Sequence, residues 1–349
     1  MACFFPLLGV HDLHTDEKKI VGSFREMYDG NLWSDCSEKR KLEIRDKVVK
    51  NWLRKCSSHW NIKVFEAPCG KCIGCRLEYS RQWANRCVLE SLMHPKDTNW
   101  FLTLTIDDDH LDFGKEGFAT VHLDDVSEFN KNLRERWRRV HNVPSDIRFY
   151  ACSEYGDTTM RPHYHMLVFG LPLYDLEFYK TTESGDILFK SRELDGVWKK
   201  GYVTVGELNW NTAAYTARYV MKKQKDMKSN KYELLDIEPE DVRMSRRPGI
   251  AKPFFDAKVK SIYDLDEIVL PATKDGQLRV VSPPKYFDKL LDRLDPDLFQ
   301  KVKENRERIS LLRNDISNQQ QGYDPVELLD NKMRSKDQKM RIFRRDIQM

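Results

Sequence analysis

The sequence predicts an α+β chain. A central, mainly antiparallel β-sheet is flanked by helices, with a cysteine-rich N-terminal module before it and a charged helical C-terminal tail after it. Three observations predict this. Segments of strand period and helix period alternate irregularly along the 349 residues, unlike the regular succession of a doubly wound sheet. Two strand segments, 147–154 and 163–169, are separated by a short polar turn, the connection of an antiparallel hairpin. Three of the eight cysteines crowd into residues 69–75, just ahead of the first strong helix.

Taken in order, the first sixty residues are polar and basic, with few clean periods. Residues 76–93 predict a helix, because Leu77, Ala84, Val88 and Leu92 recur at near-helical spacing with no Gly or Pro until His94-Pro95. Trp100–Ile106 is β-branched and aromatic and predicts a strand. Leu123–Val140 predicts a helix with Val126, Phe129, Leu133 and Trp137 on one side. The hairpin strands follow, the second closed by Gly170. Residues 171–200 read as an inserted loop, 202–206 as a strand and 212–223 as a helix. The chain then reads as loop-rich to about 300. The tail, 301–349, reads as helical, with breaks at Gln319–Gly322 and at Asp324-Pro325. This divides the chain into an N-terminal region (1–95), a central domain (96–258) and a C-terminal extension (259–349).

Hydrophobic residues make up 40% and charged residues 33%, enough apolar material for a core and too much for a disordered chain. No window reaches the roughly 18 consecutive apolar residues of a membrane helix. The start, Met1–Val10, lacks the basic n-region of a secretory signal. The net charge of +4 resides in the tail, where 12 Lys/Arg face 8 Asp/Glu, leaving 47 of each in the first 300 residues. A nucleic-acid footprint in the body must therefore come from local clusters. The run Arg134–Arg139 fits either a phosphate contact or a solvated helix face.

Three constellations carry chemistry. On a strand, residues i and i+2 share a face, so His163 and His165 project together while Tyr164 points away. With Glu154 brought alongside by the hairpin, they form two-His-one-carboxylate ligation for a divalent metal; the plain alternative is a histidine-capped strand end. On the 212–223 helix, Tyr215 and Tyr219 stand at i and i+4 on one face, each followed three residues later by a cation, Arg218 and Lys222. A phenol titrates near pH ~10 and becomes a nucleophile only when a cation or metal favours its phenolate. Two core tyrosines of an amphipathic helix would give the same spacing. Together the two constellations point to metal-assisted tyrosine attack on a DNA phosphodiester. In the third, Cys69, Cys72 and Cys75 make overlapping CxxC units suited to structural Zn2+, with Cys3 or Cys56 as fourth ligand; an iron–sulfur cluster shares the spacing.

The segments PCGKCIGCR, FLTLT, SEYG, RPHYHMLVFG, AAYTARYVMKK and SRRPGIAKPFF occur in that order. Together they resemble the replication initiation proteins of gokushovirus-type Microviridae, small circular single-stranded-DNA phages, within the HUH endonuclease superfamily. The likeness runs from Cys3 to about Phe255. It implies that His163 and His165 are the metal-binding pair with Glu154 as third ligand. It makes Tyr215 and Tyr219 the nucleophiles and Lys222 the lysine of a Tyr-x-x-Lys unit. Arg218 departs from the pattern and makes the two tyrosines unequal, with Tyr219 favoured for the first cut. A cysteine near the start of such proteins favours Cys3 as the fourth zinc ligand. The implied fold is a five-stranded antiparallel sheet with the histidines on central strands. The implied activity uses Mg2+ or Mn2+ to nick circular phage DNA at its origin, retain the 5′ end on tyrosine and later rejoin the displaced strand. Host helicase and DNA polymerase would be partners, in the cytoplasm of the bacterial host. A related transposase or relaxase would use the same chemistry on other DNA. A non-catalytic zinc-knuckle DNA-binding protein would bind without metal-dependent cleavage.

Overall fold

The computed structural model describes residues 7–12, 18–23, 62–70, 72–143, 146–156, 159–226, 231–271 and 278–321, with isolated positions between 43 and 50. Cys3, Cys56 and the tail beyond 321 lie outside the described residues. The chain forms two compact units, 1–78 with 305–349, and 79–304. Among the described residues no helix is long and apolar enough to cross a membrane.

The first unit contains a three-stranded antiparallel sheet that the sequence reading missed. Its order is β2 (Lys18–Ser23), β1 (Leu7–Asp12), β3 (Ile62–Ala67). Each strand has six residues, and β3 is supplied from far along the chain, so no local hairpin signal marks it. Helix α1 (Ile73–Ser91) follows the cysteine run and starts three residues earlier than its apolar spacing predicts.

The second unit is built on a seven-stranded sheet in which every pairing is antiparallel. Its order is β10 (Val242–Met244), β5 (Arg148–Tyr155), β6 (Pro162–Phe169), β4 (Trp100–Ile106), β9 (Gly201–Glu207), β8 (Ile187–Lys190), β7 (Glu177–Thr181). This is wider than the five strands expected, and β6 is an interior strand. The predicted hairpin is β5–β6, in register from Arg148↔Phe169 to Tyr155↔Pro162.

Strand alternation sorts the sheet's side chains into two cores. On one face Leu102, Leu104, Tyr164, Met166, Val168, Val203 and Val205 pack against helix α2 (Leu123–Val140) and helix α3 (Arg192–Trp198). Helix α2 matches its predicted span and carries Asp124 and Asp125 in its first turn and Arg138 and Arg139 in its last, which suits its dipole. On the other face Phe101, Tyr150, Leu167 and Phe169 meet α1, helix α4 (Trp210–Asp226), helix α6 (Lys252–Leu265) and helix α7 (Lys285–Leu294). A short helix α5 (Lys231–Leu235) precedes β10, and the β11 (Ile268–Leu270) and β12 (Arg279–Val281) pair lies between α6 and α7.

Two further expectations are corrected. Residues 171–200 form the β7–β8 hairpin and α3, whose N-cap Ser191 Oγ accepts the Leu194 N–H. These elements have four to seven residues, and β7 is exposed throughout, so no apolar period reveals them. The stretch from α4 to 300 is not loop-rich but carries α5, β10, α6, β11, β12 and α7. Helix α8 (Pro296–Gln321) opens the tail and ends at the predicted glutamine break.

Candidate metal and nucleophile site

Antiparallel partners share a face, and Glu154 stands opposite His163 while Cys152 stands opposite His165. The hairpin therefore brings Glu154, His163 and His165 together. Glu154 Oε2 lies 3.2 Å from His163 Nε2 and 3.0 Å from His165 Nε2, and the two rings are 4.9 Å apart at 88°. Glu154 and His165 are buried, and His163 is half-buried.

The outer nitrogens are held in turn. His163 Nδ1 lies 3.1 Å from the Arg161 carbonyl, which only accepts, so Nδ1 carries the hydrogen and Nε2 presents a lone pair. Arg161 is fixed by Nε and Nη2 bonds to the Ile106 carbonyl (3.0 and 2.6 Å) and by Asp108 (2.6 Å). His165 Nδ1 lies 3.1 Å from Thr103 Oγ1, its cross-strand neighbour on β4. A neutral imidazole lone pair facing a carboxylate oxygen is repulsive unless positive charge lies between them. The three convergent donor atoms, all within 4.8 Å of one another, fit a divalent cation.

Helix α4 brings a phenol to this cluster. Ala213, Ala214 and Ala217 are buried against the core, and Trp210 Nε1 donates to Asn85 of α1 (2.8 Å). Tyr215 then lies with its hydroxyl 3.4 Å from His165 Nε2 and its ring edge-on to His165, centroids 5.0 Å apart. Phe101 stacks on His165 at 5.5 Å and 13° and meets Tyr215 edge-on. Arg218 is half-buried farther along α4. The side chains of Tyr219 and Lys222 lie outside the described residues.

Other phenols near the sheet are chemically quiet. Tyr164 points to the opposite face, accepts the His122 N–H (2.9 Å) and lies 2.8 Å from Asp125 Oδ2. Burial, then the Asp125 charge, push its phenol far above the ordinary range. Burial does the same for Tyr150.

In the other unit Cys69, Cys72 and Cys75 cluster as their spacing predicts, with Cys69 and Cys75 Sγ 4.0 Å apart and all three sulfurs within 4.8 Å. The Cys72 N–H donates to Cys69 Sγ at 3.3 Å. Tetrahedral zinc with Zn–S bonds of about 2.3 Å sets its sulfurs about 3.8 Å apart, so the knuckle fits such an ion.

Sequence reasoning missed Thr103, Phe101 and the Arg161 carbonyl. Period-2 alternation in FLTLT, which sets Phe101, Thr103 and Thr105 on the histidine face, was the available signal. It also left SRRPGIAKPFF without chemistry, and the structure gives that segment a structural part. Arg86 Nε and Nη2 bond the Ile250 carbonyl (3.2 and 3.0 Å), Glu90 accepts the Ala251 N–H and pairs with Arg148, and Arg148 Nη2 bonds the Pro248 carbonyl (2.6 Å). The basic run divides as well. Arg134 bonds the Ile147 carbonyl, while Arg136 pairs with Glu193 and Arg139 with Glu135.

Residues 99–224 match the family model for the phage replication-associated protein ORF2. The chain is 34% identical over 312 residues to replication-associated protein ORF2 of Spiroplasma virus 4, covering 89% of this chain and 87% of the relative. It is 30% identical over 223 residues to replication-associated protein VP4 of Bdellovibrio phage phiMH2K (64% and 66%), and 32% identical over 237 residues to replication-associated protein ORF4 of Chlamydia phage 1 (66% and 54%). No solved structure matches the chain.

Proposed function

This chain belongs to the family of phage replication-associated proteins, and from that premise we propose that it initiates replication by nicking one strand of circular DNA with a tyrosine and later rejoining that strand. The observation that carries this reading is the Tyr215 hydroxyl 3.4 Å from His165 Nε2, at the edge of the three-donor cluster.

Glu154, His163 and His165 would hold Mg2+ or Mn2+, and the mixed nitrogen and oxygen donors suit Mn2+ better. The ion supplies Lewis-acid polarisation of the scissile phosphate. The Tyr215 oxygen attacks phosphorus and the bond to the 3′ oxygen breaks. The phenol gives up its proton, and the leaving 3′ oxygen takes one up. The strand's 5′ end stays on the chain as a phosphotyrosine, so the bond energy is retained. A 3′-hydroxyl attacking that phosphotyrosine reverses the step and seals the strand without ATP. Tyr219, one turn along α4, would serve the second cut, with Arg218 and Lys222 as companion cations. Arg161 and Thr103 fix the rings, and the stacked Phe101 excludes water from one side of His165. Cys69, Cys72 and Cys75 would hold structural Zn2+, with Cys3 the favoured fourth ligand. Circular phage DNA is the substrate, host helicase and DNA polymerase are the partners, and the bacterial cytoplasm is the setting.

The test is incubation with Mn2+ and single strands of the phage origin, followed by a denaturing gel. A covalent protein–DNA adduct is expected. Tyr215→Phe combined with Tyr219→Phe should abolish it; an adduct surviving in that double variant would refute the nucleophile assignment.

A further inference from the structure

On the histidine face, strand register carries two rows of side chains away from the metal cluster. One runs His165, Thr103, Thr204, Lys190, and the other runs His163, Thr105, Tyr202. Helix α4 packs on β5 and β6, and α3 packs beneath β9 on the opposite face. The histidine face of β9 and β8 is thus left open, with Tyr202 60% exposed. At the far end Tyr179 is 44% exposed, and Lys190 and Lys180 place Nζ 4.2 and 5.7 Å from its ring centroid. Among the described residues neither lysine has a carboxylate within ion-pair distance.

Lysines alone on an outer strand would serve to block edge pairing. Exposed tyrosines interleaved with them add no such protection, because an aromatic edge invites association. Flat π-faces alternating with unneutralised cations are instead what a single nucleic-acid strand requires: a surface for each base and a charge for the backbone. The strip also leads to the reacting centre, since Tyr202 stands two strand spacings, about 10 Å, from His163.

We propose that this strip is the track along which single-stranded DNA reaches the histidines. Tyr202 and Tyr179 stack on bases, and Lys180 and Lys190 meet phosphates. Thr105 and Thr204 offer hydroxyls between them. The inference rests on the nicking reading for its direction, toward Tyr215, but its residues are separate from the catalytic set.

The experiment measures binding of a labelled mixed-sequence DNA strand by fluorescence anisotropy in EDTA, where no cleavage occurs. Tyr202→Ala and Tyr179→Ala should each weaken binding about ten-fold, and Tyr202→Phe should restore it, because stacking needs the ring and not the hydroxyl. Lys180→Ala with Lys190→Ala should reduce the slope of log affinity against log salt by about 1.4, the single-strand value for two phosphate contacts. Binding within two-fold of wild type in all these variants would overturn the track and leave the face to a protein partner. If wild type still formed its adduct with Mn2+ in that case, the nicking reading would stand alone. Tyrosine- and lysine-dependent binding without any adduct would instead support the track and remove the nicking reading.

Discussion

Thr103 holds the ring of His165 through Nδ1, and the Arg161 carbonyl holds that of His163. Neither touches the convergent Nε2 and carboxylate atoms, yet both decide where the lone pairs point. Outer partners of this kind typically change metal affinity 10- to 100-fold when removed. Thr103→Ala is therefore expected to weaken Mn2+ binding by roughly ten-fold or more, and Thr103→Ser to retain it, as read by calorimetric titration. At the same scale Tyr164 and Tyr215 show how environment sorts identical side chains. The first is buried beside Asp125 and locked neutral, whereas the second lies half-buried against the metal-ligand cluster. Tyr164→Phe should accordingly leave adduct formation intact at a modest cost in stability, while Tyr215→Phe should lower it.

Helix α1 acts as an anchor for the segment before α6. Glu90 is fully buried and would be raised by that burial, but hydrogen bonds from His94 and the Ala251 N–H, together with the Arg148 charge, outweigh it and hold the carboxyl below its usual range. A carboxylate depressed in the folded state stabilises the fold above its unfolded value near pH ~4.3. That contribution is lost as pH falls through the lower folded value. Glu90→Gln leaves Arg148 buried without its charge partner and is expected to cost about 3 kcal/mol at pH 7. Urea unfolding should show the gap between variant and wild type closing at strongly acidic pH. None of this was visible along the chain. Glu90, Arg148 and Ala251 are far apart in sequence, and a lone Glu in a helix reads as surface. The elements that were legible, α2, β4 and the β5–β6 hairpin, are those whose burial pattern has a long enough period to be read from one segment.

Across the full chain the two donor clusters belong to different compact units. Cys72→Ser should lower zinc content and the stability of the N-terminal unit while Mn2+ titration at the histidines is unchanged; elemental analysis and calorimetry together read both. The same division explains the missed three-stranded sheet, since strand β3 joins β1 across a long stretch of chain and carries no signal until it pairs. It explains the missed sheet width too. Strands β7 and β8 extend the sheet at its edge, where side chains face water on both sides and no alternation is required.

The order of residues along the chain was enough to establish the chemistry available: two histidines on one strand face, a carboxylate at the end of its hairpin partner, tyrosines at helical spacing, and thiols close enough to share an ion. These follow from local geometry, the two-residue repeat of a strand and the 3.6-residue repeat of a helix. Which of those groups meet was settled by packing in three dimensions. Placing the Tyr215 hydroxyl beside His165, orienting both rings from β4 and Arg161, and leaving the Tyr202 face open all depend on how separate elements stack, and stacking is set by buried contacts between residues that no single segment contains.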